Sequence, residues 1–183
     1  PEIQTYASVV SRESVRIVFT LAALNGLDIQ SANVSNAYLN APSRERLITK
    51  CGPEFGPSLR GRWAIIQRAL YGSKSAAASW RASIIGLLEQ FGFKMCRADN
   101  DVMMRAGFNS KGNAVWEYVL VYSDDFLVIA ADPKLIISLI DKQFKIKEGS
   151  TGEPTQYLGA AISKYQFEDG TWAWAMSLDT YIK

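Results

Sequence analysis

The chain has 183 residues, of which 48% are hydrophobic and 21% charged, so it is long and apolar enough to bury one core. It contains no histidine, which excludes Ser-His-Asp catalysis, Cys-His catalysis and histidine metal sites. Its two cysteines, Cys51 and Cys96, form neither a disulfide framework nor a zinc spacing, and they favour buried thiols in a reducing, intracellular compartment. No apolar stretch reaches the roughly 18–20 residues of a membrane span.

Positive charge is concentrated in one segment, although the net charge is only +2. Residues 44–81 contain eight Lys and Arg against two Glu. Such a patch suits a phosphate backbone. On charge alone, a solvated basic face is the simpler interpretation.

The predicted elements begin with a helix over Arg12–Leu24, capped by Ser11 and ended by Gly26. A second helix is predicted over Lys74–Phe91 with Ser73 as its cap, and a third over Lys134–Phe144. A hairpin covers 116–130, and a turn lies at 168–170. The remaining strands are predicted at Asp28–Val34, Leu47–Cys51, Trp63–Leu70, Val102–Arg105, Lys145–Lys147, Gly159–Tyr165 and Thr171–Met176. This pattern predicts an α+β fold, an antiparallel sheet with helices packed on one face, in a single domain over 1–183.

Two adjacent carboxylates lie between apolar runs at 118–122 and 126–130, in the stretch Ser123-Asp124-Asp125. A tight hairpin would hold Asp124 and Asp125 rigidly at the tip of a sheet. Two-metal phosphoryl transfer needs acidic ligands around ions about 3.5–4 Å apart, and Mg²⁺ prefers carboxylate oxygens. From these residues alone, a polar turn and a metal site both stay open.

Several stretches resemble one known family. They are "YASVVSRESVRIVFTLAALNGLDI" at 6–29, "NVSNAYLNAP" at 33–42, "RALYGSKSAAASWRA" at 68–82, "YVLVYSDDFLVIAADP" at 118–133 and "YLGAAISKY" at 157–165. In order and spacing they are similar to the reverse transcriptases of copia-type long-terminal-repeat retrotransposons. The resemblance covers essentially the whole chain. It implies a polymerase palm domain, without fingers tip, thumb or RNase H, and an RNA-directed DNA polymerase ancestry with Mg²⁺ or Mn²⁺ at Asp124 and Asp125.

The resemblance also implies a nucleic-acid surface. In the family the "LYG-K" segment helps to form the template and nucleotide site, which makes Arg68, Lys74, Arg81 and Tyr122 candidates for contacting nucleic acid. Lys74 and Arg81 are seven residues apart and are predicted to share a helix face. The alanines between them are better explained by close packing against the sheet.

One position departs from the family pattern. Where the family has the first catalytic aspartate, before Val-x-Asn-Ala, this chain has Asn33. An amide offers one neutral carbonyl oxygen and cannot bridge two divalent ions as a carboxylate does. Asp28 does not replace it, because an odd offset on a strand faces the opposite side and five residues span about 16 Å. Two origins of Asn33 stay open, an engineered change and natural drift, and further departures at Ser35, Ser75 and Ser123 favour drift.

Three interpretations of function follow. The first is a palm-derived protein without polymerase activity, reused to bind nucleic acid or a protein partner. The second is a degenerate or mutated copy, and the third is an active polymerase fragment that uses two divalent ions. Neither a membrane association nor an oligomeric state is predicted.

Overall fold

Residues 5–178 are described by the computed structural model, and their packing divides them into two units. The first unit holds residues 36–86 together with residues 5–7, and the second holds 8–35 and 87–178. The second unit is therefore discontinuous in sequence, since the chain leaves it after Ser35 and returns at Leu87. Across these described residues, no helix combines the length and apolar character that crossing a membrane requires.

The elements alternate between helices and short antiparallel strands, which confirms the predicted α+β class. The helices are α1 (Arg12–Asn25), α2 (Ala76–Gln90) and α3 (Pro133–Asp141), with short 3-10 turns at Ala37–Asn40 and Pro53–Phe55. The strands are β1 (Asp28–Asn33), β2 (Pro42–Lys50), β3 (Trp63–Arg68), β4 (Lys94–Met95), β5 (Val102–Phe108), β6 (Ala114–Tyr122), β7 (Asp125–Ala130), β8 (Gln156–Tyr157), β9 (Ala160–Gln166) and β10 (Trp172–Ser177).

The second unit is built on a five-stranded antiparallel sheet in the order β1-β7-β6-β5-β4. β7 lies in the core of this unit, since all five residues of 126–130 are fully buried. Leu127 and Ile129 point to the face on which Phe19 of α1 packs. A second sheet, in the order β10-β9-β8, contributes Tyr157 and Ile162 to the hydrophobic core that these side chains form. One face of the main sheet is thus covered jointly by a helix and a small sheet, while α3 packs along β1 and β7.

The ends of α1 follow the sequence signals. Ser11 Oγ accepts a hydrogen bond from the N–H of Ser14 at 3.1 Å. Gly26 has φ +62°, a left-handed conformation that glycine adopts without steric cost, and its N–H bonds back to the last turn. At α3, Asp132 is the cap and Pro133 the first residue, and the helix ends at Asp141 rather than Phe144.

The first unit contains the ribbon β2-β3 and most of α2. β2 is longer than predicted, and it pairs with β3 so that Ile48 faces Ile65 and Lys50 faces Trp63. The predicted capping role of Ser73 is wrong, because its hydroxyl donates to the Leu70 carbonyl oxygen. α2 begins at Ala76, two residues later than predicted.

Two further predictions need correction. The segment 145–147 is not a strand, since it makes only an isolated bridge between Ile146 and Val34 beside β1. Cys51 is buried as expected, whereas Cys96 is only half-buried because it follows the two-residue edge strand β4. Both thiols are free.

Candidate active site

The hairpin β6-β7 places the two carboxylates at the end of three neighbouring strands. Asp125 is the first residue of β7 rather than part of the turn, and it pairs with Tyr122 on one side and Asn33 on the other. Residues directly opposite each other in antiparallel strands point to the same face. The loop itself is only Ser123-Asp124, and Ser123 has φ +57°, a left-handed conformation that is costly for serine.

The Asn33 side chain contacts both aspartates. Its Nδ2 donates a hydrogen bond to Asp125 Oδ1 at 2.5 Å and one to Asp124 Oδ2 at 3.4 Å. The three residues that the sequence analysis singled out as the catalytic positions therefore lie in one cluster. The physical cause is the register of β1 on β7, which sets the last residue of one strand opposite the first residue of the other.

The backbone around Asn33 is held from the opposite side. Its N–H donates to Ser150 Oγ at 3.1 Å, and its carbonyl oxygen accepts from the N–H of Lys147 at 2.7 Å. The next N–H along the chain, that of Val34, donates to the Asp124 carbonyl oxygen at 3.0 Å. The Asn33 amide is therefore presented to the carboxylates by a fixed backbone.

The residues present do not fit the two-ion centre that the family resemblance implied. Among the residues that the structure describes, two carboxylates converge here, and the third position supplies an N–H donor toward them instead of a ligand oxygen. Within residues 5–178 no group of three His, Cys, Asp or Glu is arranged to hold a metal ion. Asp28 pairs with Ala130 at the far end of β1, so it does not supply the missing ligand, as predicted.

Tyr157 lies on the same face of the sheet and was not singled out by the sequence analysis. It is only 5% exposed, its ring lies 6.3 Å from that of Tyr122, and its hydroxyl has no hydrogen-bond partner among the described residues. Burial, and next the charge of Asp125, raise the pKa of the Tyr157 phenol well above its ordinary value. The motif "YLGAAISKY" at 157–165 signalled this segment without indicating a role for its tyrosine.

A cavity of about 270 Å³ lies beside Asp125. Its lining includes Ser31, Asn33, Asp125, Ser150, Gln156 and Tyr157. The segment that follows α3 thus lines one side of the carboxylate cluster, while Asp125 itself stays exposed to solvent.

Asp99 has a structural role at the start of α1. Its carboxylate accepts hydrogen bonds from the Ser11 N–H at 3.0 Å, the Ser14 hydroxyl at 2.7 Å and the Asp101 N–H at 3.0 Å. Burial acts to raise the pKa of Asp99, but these hydrogen bonds outweigh it and lower that pKa below the ordinary value.

The predicted nucleic-acid residues are distributed over both units. In the first unit, Arg68 is exposed and its Nη1 donates to the Asn40 carbonyl oxygen at 3.2 Å. Lys74 is exposed but precedes α2, so the prediction that it shares a helix face with Arg81 is wrong. Arg81 is half-buried and takes part in further interactions. Tyr122, in the second unit, is 37% exposed at the hairpin.

The turn before α2 is held by Glu45 of β2. Its Oε1 accepts hydrogen bonds from both the N–H and the hydroxyl of Ser75, each at 2.7 Å, and these hydrogen bonds lower the pKa of Glu45. This pairing explains why Ser75 is buried and why α2 starts late. Ala78 is buried, in agreement with the packing interpretation of the alanines, whereas Ala77 is half-buried.

One face of the β2-β3 ribbon exposes apolar and basic side chains together. Trp63 is 69% exposed, and Lys50 Nζ lies 5.1 Å from the centre of its ring. Ile48 and Ile65, directly opposite each other, are also exposed, as is Arg46, two residues before Ile48 on β2. The basic segment was recognisable from the sequence, whereas the exposed tryptophan was not predicted.

Comparisons with known proteins place the chain in a family. The sequence profile described as "Reverse transcriptase (RNA-dependent DNA polymerase)" matches residues 2–178. The chain is 27% identical to the retrovirus-related Pol polyprotein from transposon RE1 of Arabidopsis thaliana, over 79% of this chain and 10% of that protein. It is 25% identical to the Pol polyprotein from transposon TNT 1-94 of Nicotiana tabacum, over 98% of this chain and 13% of that protein.

A third relative is the putative transposon Ty5-1 protein of Saccharomyces cerevisiae, 28% identical over 82% of this chain and 46% of that protein. The chain thus spans about a tenth of the plant relatives and less than half of the yeast one. These matches confirm the resemblance to retrotransposon polymerases drawn from the motifs. The chain belongs to the reverse transcriptase (RNA-dependent DNA polymerase) family.

Proposed function

We propose that this chain is a palm domain that has lost DNA polymerisation, in other words a pseudoenzyme derived from a copia-type retroelement. The observation that carries the proposal is the Asn33 amide, which donates hydrogen bonds to both Asp124 and Asp125 where the family has a third carboxylate. Both units, over 1–183, belong to this one palm domain.

The chemical argument rests on charge. Divalent ions, which reverse transcriptases generally use, stabilise the charge that develops on phosphoryl oxygens. Two such ions need several anionic oxygens around them, and a carboxylate can bridge both ions. Here Asp125 and Asp124 contribute two carboxylates, and Asn33 presents its N–H groups to them. The ion charge would be under-compensated, and an amide N–H would lie where a ligand oxygen is needed.

Extension of a DNA primer on an RNA template, with Mg²⁺ or Mn²⁺, tests this loss. We expect no incorporation by the wild-type chain. The same reaction with Asn33→Asp asks whether that position alone limits activity, and Asp124→Ala is the negative control. Incorporation by the wild type that disappears in Asp124→Ala would show an active polymerase fragment and contradict the proposal.

A second function, nucleic-acid binding by a domesticated palm, is favoured by the exposed ribbon face of the first unit. Trp63 supplies a flat π-surface on which bases stack, and Lys50 and Arg46 supply positive charge beside it. Arg68 and Lys74 add exposed cations to the same unit. The combination of one stacking platform with several cations suits single-stranded RNA or DNA better than a protein surface, which is the competing partner class.

Fluorescence anisotropy with a labelled single-stranded oligonucleotide tests the ribbon. Trp63→Ala should weaken binding by about 1–3 kcal/mol, the usual contribution of base stacking. Lys50→Ala should reduce the slope of log affinity against log salt by about 0.7, as for one lost phosphate contact. Lys134→Ala, an exposed lysine of α3, is the matched control. Binding that is absent, or that does not depend on salt, would favour a protein partner.

A further inference from the structure

We propose that the Asn33 side-chain amide is a built-in substitute for a divalent cation, which holds the Asp124 and Asp125 carboxylates together without metal. The inference rests on the proposed loss of polymerase activity, because both start from the amide at position 33. It goes further because it assigns a structural role to that amide, which stabilises the β6-β7 hairpin without a metal ion.

Two anions converge on the Asn33 amide. Carboxylate oxygens of both aspartates lie within 2.5 and 3.4 Å of a single nitrogen atom, so the two negative charges are close together. Adjacent carboxylates repel each other unless a cation or hydrogen-bond donors compensate them. An asparagine amide carries two N–H donors, and the geometry supplies one to each carboxylate. Hydrogen bonds to charged acceptors are among the strong ones in proteins.

The hydrogen-bond network leaves only one orientation for the Asn33 amide. If the Asn33 group were turned over, its carbonyl oxygen would face two carboxylates, and three acceptors would meet without a donor. The backbone of Asn33 is meanwhile fixed by Ser150 and Lys147, and by its register opposite Asp125. The N–H groups are therefore directed to the site where a cation would otherwise lie.

The aspartate that the family has at this position would behave differently. An aspartate at position 33 would place a third negatively charged oxygen close to those of Asp124 and Asp125. Like charges so close together are unfavourable unless a cation compensates them, and a divalent ion bound to the three carboxylates would do so. The wild-type chain should therefore be indifferent to divalent ions, and Asn33→Asp should depend on them.

Thermal unfolding of the purified chain with EDTA and with Mn²⁺ tests the inference. The wild-type melting midpoint should differ by less than about 1 °C between the two conditions. In EDTA the midpoint of Asn33→Asp should lie about 5 °C below that of the wild type, and Mn²⁺ should restore it. Asn113→Asp makes the same charge change in the exposed turn between β5 and β6, and it should show no response to metal. A wild-type midpoint that Mn²⁺ raises by several degrees would overturn the inference.

A swapped variant sharpens the test. Asn33→Asp combined with Asp125→Asn exchanges donor and acceptor across the same β1-β7 pair and leaves the net charge of the wild type unchanged. It should regain, in EDTA, most of the stability that Asn33→Asp loses. A double variant that remains as unstable as the single one would contradict the substitution of a cation by an amide.

A measurement on the wild type keeps the inference testable if Asn33→Asp does not fold. The side-chain NH₂ protons of Asn33 should exchange with solvent more slowly than those of Asn113, and their nuclear magnetic resonance signals should not move on adding Mg²⁺. Fast exchange at Asn33, or a shift with Mg²⁺, would refute it. Primer extension by the wild type would refute the proposed loss of activity and leave these results unchanged, so the two failures are distinguishable.

Discussion

Removal of the Tyr157 hydroxyl should stabilise the protein. The side chain is 5% exposed, and its oxygen has no hydrogen-bond partner among the described residues. A buried polar group left unpaired costs about 1–3 kcal/mol. Tyr157→Phe removes that cost and keeps the ring, including its contact with Tyr122 at 6.3 Å between centroids. We expect the free energy of unfolding to rise by about 1 kcal/mol, and the melting midpoint by about 2–4 °C for a chain of this size.

The same variant should change the response to alkaline pH. The folded protein favours the neutral phenol, so the pKa of Tyr157 is raised above its ordinary value of 10.0. Below pH 10.0 the phenol is neutral in both the folded and the unfolded state. Above that pH the unfolded chain releases the proton first, so the free energy of unfolding falls as the pH rises toward the raised folded pKa. Tyr157→Phe should therefore lose stability less steeply above that pH than the wild type. Tyr118, whose pKa burial also raises, leaves part of the alkaline loss in place.

Urea unfolding followed by circular dichroism, at neutral and at alkaline pH, measures both effects. Tyr122→Phe is the control, because that residue is 37% exposed. It should leave the free energy of unfolding within about 0.5 kcal/mol of the wild type. A Tyr157→Phe variant that is less stable than the wild type at neutral pH would show that the hydroxyl is paired, and the reasoning would be refuted.

Two further changes test local features of the second unit. Asp99→Asn should lower the free energy of unfolding at neutral pH and make it fall less steeply in acid. Because the pKa of Asp99 is lowered, its carboxylate stabilises the fold above pH 3.8, and this stabilisation is lost as the pH falls through the folded pKa. Urea unfolding at a series of acid pH values measures the effect. An unchanged acid slope would contradict the role of its hydrogen bonds to Ser11 and Ser14. Ser123→Val should cost about 1–2 kcal/mol, because a β-branched side chain is strained at the positive φ of this position. Ser123→Gly should not be destabilising in the same assay, and a stable valine variant would show that the turn relaxes.

Local signals in the sequence were sufficient for most of the elements. α1 is delimited by Ser11 and Gly26 as expected, because capping depends only on residues within one or two turns. β6 and β7 were recognisable from two apolar runs around a polar turn. The late start of α2 was not recognisable, because Glu45, thirty residues away, holds Ser75 outside the helix.

The motifs identified the family and the three central positions of the site, Asn33, Asp124 and Asp125. They could not show that an asparagine there makes hydrogen bonds to both aspartates, since residue identity excludes a carboxylate ligand without indicating what replaces it. That contact depends on the antiparallel register of β1 and β7, which brings together residues about 90 positions apart in the chain. The same long-range pairing determines that Asp125 belongs to a strand and that Ser150 supports Asn33.

Through its motifs, the sequence by itself therefore established that the chain is similar to reverse transcriptases and that it carries an asparagine where the pattern of that family has an aspartate. Tertiary structure decided what surrounds that asparagine. The convergence of distant strands made its amide a hydrogen-bond donor to two carboxylates, and it buried the Tyr157 hydroxyl beside Asp125. Both features arise from side chains that approach only when the sheet is paired, so no local pattern along the chain could reveal them.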